Sequence, residues 1–301
     1  MGWVKNVRKG KVLIVPDLSP NQLKAGWANN VDGFYLSTLW WWNPQLKKGV
    51  FDRFPPFVER VVKLGGVKKV FGIPEKVIYI AGVDRYVFRH PVQTCIEQIC
   101  LGGDVLTIQD VSIEQEDSEE LVMHKLGWNR GAVDVVSKWV RSKGIEKPLL
   151  GIIHGYIVLG DWDESLETYL READYIKDKV DWIGIPTAPL TKHKHYGFIN
   201  RLVREVINAT DKDVYQLMGG QSLKLVPIAV KIAKDLKKTL ILEADTIGRF
   251  SRRRRALTFD KGKITFKPIY QMKHRFKDTL DIFNFNVKQY KKIVKTLMDA
   301  S

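Results

Sequence analysis

The chain has 301 residues, of which 45% are hydrophobic and 28% charged, and it carries a formal net charge of +15. That apolar share supports a packed core and excludes a disordered polyelectrolyte, and no run of about eighteen apolar residues offers a membrane-spanning helix. Two cysteines, Cys95 and Cys100, exclude a disulfide scaffold, and their spacing fits neither a zinc knuckle nor a Cys-x-x-Cys redox pair, so a reduced, cytoplasmic setting is expected. The positive excess points to a polyanionic partner, nucleic acid before membrane; a lysine-rich surface of a heat-adapted protein is the plainer alternative.

In chain order, eight short β-branched runs read as strands: "VLIVP" (12–16), "GFYLS" (33–37), "VIYIA" (77–81), "VLTIQ" (105–109), "LLGIIH" (149–154), "DWIGIP" (181–186), "VYQLMG" (214–219) and "TLILEA" (239–244). Between them, stretches such as "SLETYLREADYIKDKV" and "LKLVPIAVKIAKDLKK" repeat apolar residues at three- and four-residue intervals, the mark of helices with one buried face. Strands apolar on both faces that alternate with helices predict a closed parallel (β/α)8 barrel, an α/β fold. An open doubly wound sheet is the alternative, but neither a Gly-x-Gly-x-x-Gly nor a P-loop segment accompanies the pattern. The barrel is expected over residues 1–270, followed by a basic helical extension over 271–301 that packs on it.

Barrel chemistry lies at the carboxyl ends of the strands. The residues there are Asp17, Ser37, Asp84, Asp110, His154, Thr187, the "MGG" of Met218, Gly219 and Gly220, and Asp245. Carboxylates on such a rim can act as nucleophile, general base or reader of a polar ligand. Asp17, just before "LSPNQL", reads better as a helix cap. Asp245 is followed by "TIGRFSRRRR", which reads as a long cationic loop.

Six segments, in order, resemble the queuine/archaeosine tRNA-guanine transglycosylase family. They are "LSPNQLKAGWANNVDGFYLSTL" (18–39), "HPVQTCIEQICLGGDVLTIQD" (90–110), "GIIHG" (151–155), "WIGIP" (182–186), "YQLMGG" (215–220) and "EADTIGRFSRRRRALTFDKGKI" (243–264). The resemblance implies a barrel enzyme that exchanges guanine in a polynucleotide for a 7-deazaguanine base of the preQ0 kind, without cofactor or catalytic metal. Asp245 is then the nucleophile on the anomeric carbon, in the two-displacement logic of retaining glycosidases. Asp110 and His154 are implied at the base edge with backbone groups near Gly184 and Ile185, and Met218, Gly219 and Gly220 against the base, with Tyr86 on its other face. Arg249, Arg252, Arg253, Arg254 and Arg255 are implied as phosphate contacts, and the target nucleotide must be rotated out of its stack to enter.

Two departures from the family pattern stand out. Its general base, an aspartate on the third strand, is replaced here by Ala81 and Gly82, and Asp84 lies two residues on, on the same side and about 6.5 Å further along an extended chain. Asp84 is therefore the substitute base. The family's zinc module has no counterpart, because the sequence after Ile269 contains no cysteine and only His274. On that absence the chain is similar to the DNA-directed branch, so DNA is favoured over tRNA as partner, with a homodimer left open. Trp40, Trp41 and Trp42 read as core or oligomer contact before base-stacking. Two other classes stay open: a metal-dependent hydrolase built on His193, His195 and His154, and a nonenzymatic nucleic-acid-binding partner subunit of the same fold.

Overall fold

The computed structural model describes residues 10–37, 60–82, 90–219 and 222–300. Eight parallel strands form one sheet: β1 (Val12–Val15), β2 (Gly33–Ser37), β3 (Ile78–Gly82), β4 (Val105–Thr107), β5 (Leu149–Ile152), β6 (Trp182–Pro186), β7 (Val214–Met218) and β8 (Thr239–Glu243). Strand β8 pairs with β1 in register from Val12 opposite Leu240 to Val15 opposite Glu243. Two backbone bonds, Tyr35 N–H to Pro16 O and Leu18 N–H to Tyr35 O, both 2.9 Å, tie β1 to β2 and bring the sheet round into a (β/α)8 barrel. The expected fold class is the observed one.

Between the strands run α1 (Pro20–Lys24), α2 (Val67–Phe71), α3 (Pro91–Cys100), α4 (Glu119–Ser142), α5 (Trp162–Ile176), α6 (Ala188–Lys192), α7 (Tyr196–Thr210) and α8 (Leu225–Leu236). None of the helices in the described residues is long and apolar enough to cross a membrane. Each strand buries both faces, as a barrel demands. Inward, Val15, Ile78, Ile80, Val105, Leu150, Trp182, Val214 and Ile241 fill the barrel; outward, residues such as Phe34, Tyr79, Leu106, Ile183 and Leu240 meet the helices. The amino-terminal end is braced by Lys68 of α2, whose ammonium reaches Asp104 at 2.9 Å while Asp104 accepts the Tyr79 N–H at 2.8 Å.

One expectation changes at the carboxyl end of β8. The segment after Glu243 is not a loop but a helix, α9 (Asp245–Arg252), and an antiparallel hairpin follows, β9 (Arg255–Asp260) with β10 (Lys263–Pro268). Gly248 and the arginine run hide that helix in the sequence, because tertiary contacts support it. The final helix α10 (Thr279–Asp299) supplies Asn286, fully buried, whose amide donates to Ser251 Oγ at 2.9 Å and to Arg255 O at 3.0 Å and whose Oδ1 accepts the Leu257 N–H at 2.6 Å. Phe283, Val287, Tyr290 and Ile293 of the same helix belong to the outer core, and Phe283 stacks on Trp27 at 4.4 Å.

Asp17 is likewise not the cap of α1. Ser19 holds that position, and its N–H donates to Gln22 Oε1 at 2.8 Å in a capping box. Asp17 stays on the extended line of β1, opposite Tyr35.

Candidate active site

Side chains alternate along a strand, so every second residue of the barrel lining climbs toward its carboxyl mouth. Two residues above Val15 is Asp17; two and four above Leu150 are Ile152 and His154; four above Val214 is Met218; two and four above Ile241 are Glu243 and Asp245. All of these line one cavity of about 570 Å³ at the mouth, together with Tyr35, Asp110, Tyr169, Gly219 and Lys192. That volume lies within the range of small-molecule sites, roughly 300–1,000 Å³.

Asp245 is half-buried in the first turn of α9, where the helix dipole favours negative charge. Its Oδ1 accepts the backbone N–H of Asp17 at 3.0 Å, a bond across the β1–β8 seam that holds the carboxylate over the cavity.

Glu243 lies one inward position deeper. Its Oε1 accepts from Gln216 Nε2 at 2.8 Å and its Oε2 from the Gly219 N–H at 2.5 Å. Gly219 reaches that oxygen in a left-handed conformation, φ +68°, with its α-carbon so close to Ala188 that an added Cβ would lie 2.3 Å from the Ala188 Cβ. Burial first, and then the charges of Asp245 and Asp17, push the Glu243 carboxyl up to about 8 against the pull of its two donors. That shift favours the protonated form of this carboxyl.

Across the mouth, Asp110 follows β4 on a segment clamped by helix-borne amides. Gln98 of α3 bonds both backbone groups of Thr107 at 2.8 Å, and Asn129 of α4 bonds the N–H and carbonyl of Val111 at 2.8 and 3.0 Å. His154 Nε2 comes within 3.1 Å of Asp110 Oδ2 without the alignment of a hydrogen bond, which leaves this nitrogen of a 5% exposed histidine without a hydrogen-bond partner. Gly155 lets the following loop lie on α5, since a Cβ there would meet the Tyr169 ring at 2.4 Å. Met218 is fixed through its carbonyl, which accepts both the N–H and the Oγ1 of Thr187 at 2.9 Å.

The structure thus brings together Asp245, Asp110, His154, Met218 and Gly219. Gly184 and Ile185 stand behind that surface. The Gly184 carbonyl accepts the Ile153 N–H at 3.0 Å in the barrel ladder, Ile185 is fully buried, and a Cβ at Gly184 would sit 2.8 Å from the Met218 sulfur. Asp84, Tyr86, Gly220 and the Trp40–Trp42 cluster lie outside the described residues. The arginine run is not beside Asp245. At about 1.5 Å per helical residue, α9 carries Arg252 roughly 10 Å away. Arg253, Arg254 and Arg255 line a second concavity with Pro268, Ile269 and the 82% exposed Tyr270, while exposed Arg249 sits one turn along α9 from Asp245.

His193 and His195 stack at 6.0 Å, and His195 packs edge-on against Trp162 at 4.8 Å. Neither lines the cavity, and among the described residues no three His, Cys, Asp or Glu side chains gather as metal ligands. His274 is packed between Phe276 and Phe285.

Sequence reading alone does not single out Glu243, Tyr35 or Lys192. The signal for Glu243 was its place two residues before Asp245, on the same strand face, at the end of an otherwise apolar run. No protein-family profile and no curated protein matches the chain.

Proposed function

We propose that the chain is a nucleic-acid guanine transglycosylase, a base-exchanging pentosyltransferase, with DNA favoured over tRNA. One observation carries the reading: the Asp245 carboxylate, steadied by the Asp17 N–H, lines a hollow of about 570 Å³, roomy enough for a nucleobase and its sugar. In the first displacement Asp245 attacks the anomeric carbon of a flipped-out nucleotide and guanine departs; in the second a 7-deazaguanine displaces Asp245. Asp110 suits the donor edge of guanine, because a carboxylate accepts from both a ring N–H and an exocyclic amino group. His154 Nε2, 3.1 Å from Asp110 Oδ2 but without an aligned hydrogen bond, suits a further polar atom of the same base. Met218 supplies an apolar, polarisable surface for the ring face. Arg249, with Arg252 to Arg255 further along, offers cations to the phosphates on either side of the flipped nucleotide. The family's third-strand base has Ala81 and Gly82 in its place here, and Asp84, two residues on, is the candidate that the sequence offers for it.

The test is incorporation of radiolabelled guanine into separate DNA and tRNA pools. Label should enter one polymer with the wild-type protein and neither with Asp245→Ala. Equal incorporation by both proteins removes Asp245 from the reaction.

A further inference from the structure

We propose that Glu243 is a proton-carrying catalytic residue of this cavity, giving a proton to the base that leaves and recovering one from the base that enters. The inference rests on the base-exchange reading above and gives Glu243, which the family resemblance does not assign, the proton transfers for which Asp84 is the candidate in the sequence.

Depth is the first argument. Glu243 and Asp245 are successive inward residues at the end of β8, both on the cavity wall. A nucleotide whose sugar meets Asp245 at the mouth directs its base downward, past Glu243. The second argument is constraint. Each oxygen of Glu243 takes one hydrogen bond from the protein, from Gln216 Nε2 and from the Gly219 N–H, which fixes the carboxyl while each oxygen keeps a further bonding position. Next to it the Oε1 of Gln216, a residue with no solvent exposure, lacks a hydrogen-bond partner, so polar capacity that the protein itself does not fill lies behind the carboxyl.

The third argument is charge. Among the described residues, the cavity around Glu243 presents the carboxyls of Asp17, Asp110, Glu114 and Asp245 and the ammonium of Lys192, with the phenols of Tyr35 and Tyr169 and the imidazole of His154 as the further titratable groups on its wall. In such surroundings a buried carboxyl retains its proton, as the direction found for Glu243 requires.

The steps balance. Asp245 forms a bond to the anomeric carbon as the glycosidic C–N bond breaks; the electron pair of that bond stays on the base, and the Glu243 proton moves to a ring nitrogen. Neutral guanine, a sugar ester on Asp245 and a Glu243 carboxylate result. The incoming base then surrenders a ring N–H proton to Glu243, its nitrogen bonds the anomeric carbon, and the ester C–O bond breaks to restore the Asp245 carboxylate.

The experiment compares guanine exchange by wild-type protein, Glu243→Gln and Glu243→Asp between pH 5 and 9.5. Gln keeps the shape and an acceptor oxygen for Gly219 but carries no transferable proton. Glu243→Gln should be slower by about 100-fold or more and lack the alkaline fall expected of the wild type near pH 8, and Glu243→Asp should recover part of the rate. A Gln variant within a few-fold of wild type, with the same alkaline fall, overturns the assignment and leaves base exchange standing. Wild-type protein inactive on both polymers overturns base exchange and this inference together.

Discussion

The Asp17 N–H donates to Asp245 Oδ1 at 3.0 Å, joining the ends of two strands, β1 and β8, that are 228 residues apart in the chain. The bond extends the β1–β8 seam beyond its ladder and orients the carboxylate at once. It also places two acidic residues above Glu243, and their charges rank behind burial in raising its carboxyl, Asp245 ahead of Asp17.

That ranking is measurable. Removing a negative charge makes ionisation of Glu243 easier, so Asp245→Asn should lower its titration midpoint clearly and Asp17→Asn by less. Carbon-13 NMR of labelled glutamate carboxyls reads both. An equal or reversed order would show that the charges reach Glu243 by another geometry.

Glu243 also links stability to pH. Its carboxyl is raised from an ordinary 4.5 to about 8 in the folded protein. Between those values the native state holds a proton that the unfolded chain has released, so the stabilisation is complete below about 4.5 and is lost as pH rises through about 8. Urea unfolding of wild type and Glu243→Gln should give a difference in the variant's favour that grows by about 3–5 kcal/mol from pH 4.5 to 8.5 and then levels. A difference constant across that range would place Glu243 in water.

The barrel was legible because its signal is repeated: eight apolar strands with amphipathic helices between them leave few architectures, and all eight appear where the β-branched runs stand. Asp110, His154 and Met218 were legible for the same reason, since a barrel presents strand ends to its cavity. Helix α9 was not. Its polar, glycine-containing sequence has little helical preference of its own, and what holds it is Asn286 from a helix beginning 34 residues after Asp245. Glu243 escaped notice because a glutamate ending a strand looks solvated until the inward face is known.

Gly219 is a position where the backbone admits almost no side chain. At φ +68° and with a Cβ destined for 2.3 Å from the Ala188 Cβ, Gly219→Ala must shift the turn that delivers its N–H to Glu243. A loss of about 1–3 kcal/mol is expected, together with impaired exchange activity. Gly160→Ala is the control: φ is also positive, +85°, but nothing lies within 4 Å, so it should cost about 1 kcal/mol and leave activity alone. Chemical denaturation with parallel exchange assays separates the two, and equal effects would mean that conformation alone matters at Gly219.

At the opposite end of the barrel, Lys68 and Asp104 should matter to folding and not to chemistry. Lys68 is 7% exposed, and its ammonium contacts both Asp104 oxygens, at 2.9 and 3.2 Å, and the carbonyl of Glu75 at 3.1 Å. Asp104→Ala leaves a buried cation to the exposed Glu75 carboxylate at 3.3 Å and should destabilise by up to about 3–5 kcal/mol. The exchange rate per folded molecule should be unchanged, a comparison made with active-site titration of the surviving protein.

On the base-exchange reading, the arginines beyond α9 allow the proposed polymer contact to be tested separately from catalysis. Arg253, Arg254 and Arg255 are all exposed, and they edge a concavity of about 480 Å³ next to the exposed ring of Tyr270. If each neutralises one phosphate, the triple substitution to alanine should flatten the slope of log affinity against log salt by about 2–3 and weaken binding of all sequences alike. Tyr270→Ala should instead weaken single-stranded more than double-stranded polymer, because an exposed ring recognises an unpaired base by stacking. Fluorescence anisotropy at several salt concentrations measures both. An unchanged slope in the triple variant would assign the phosphate contacts to Arg249 and Lys192 at the cavity mouth, and the positive charge beyond α9 would then serve the surface alone.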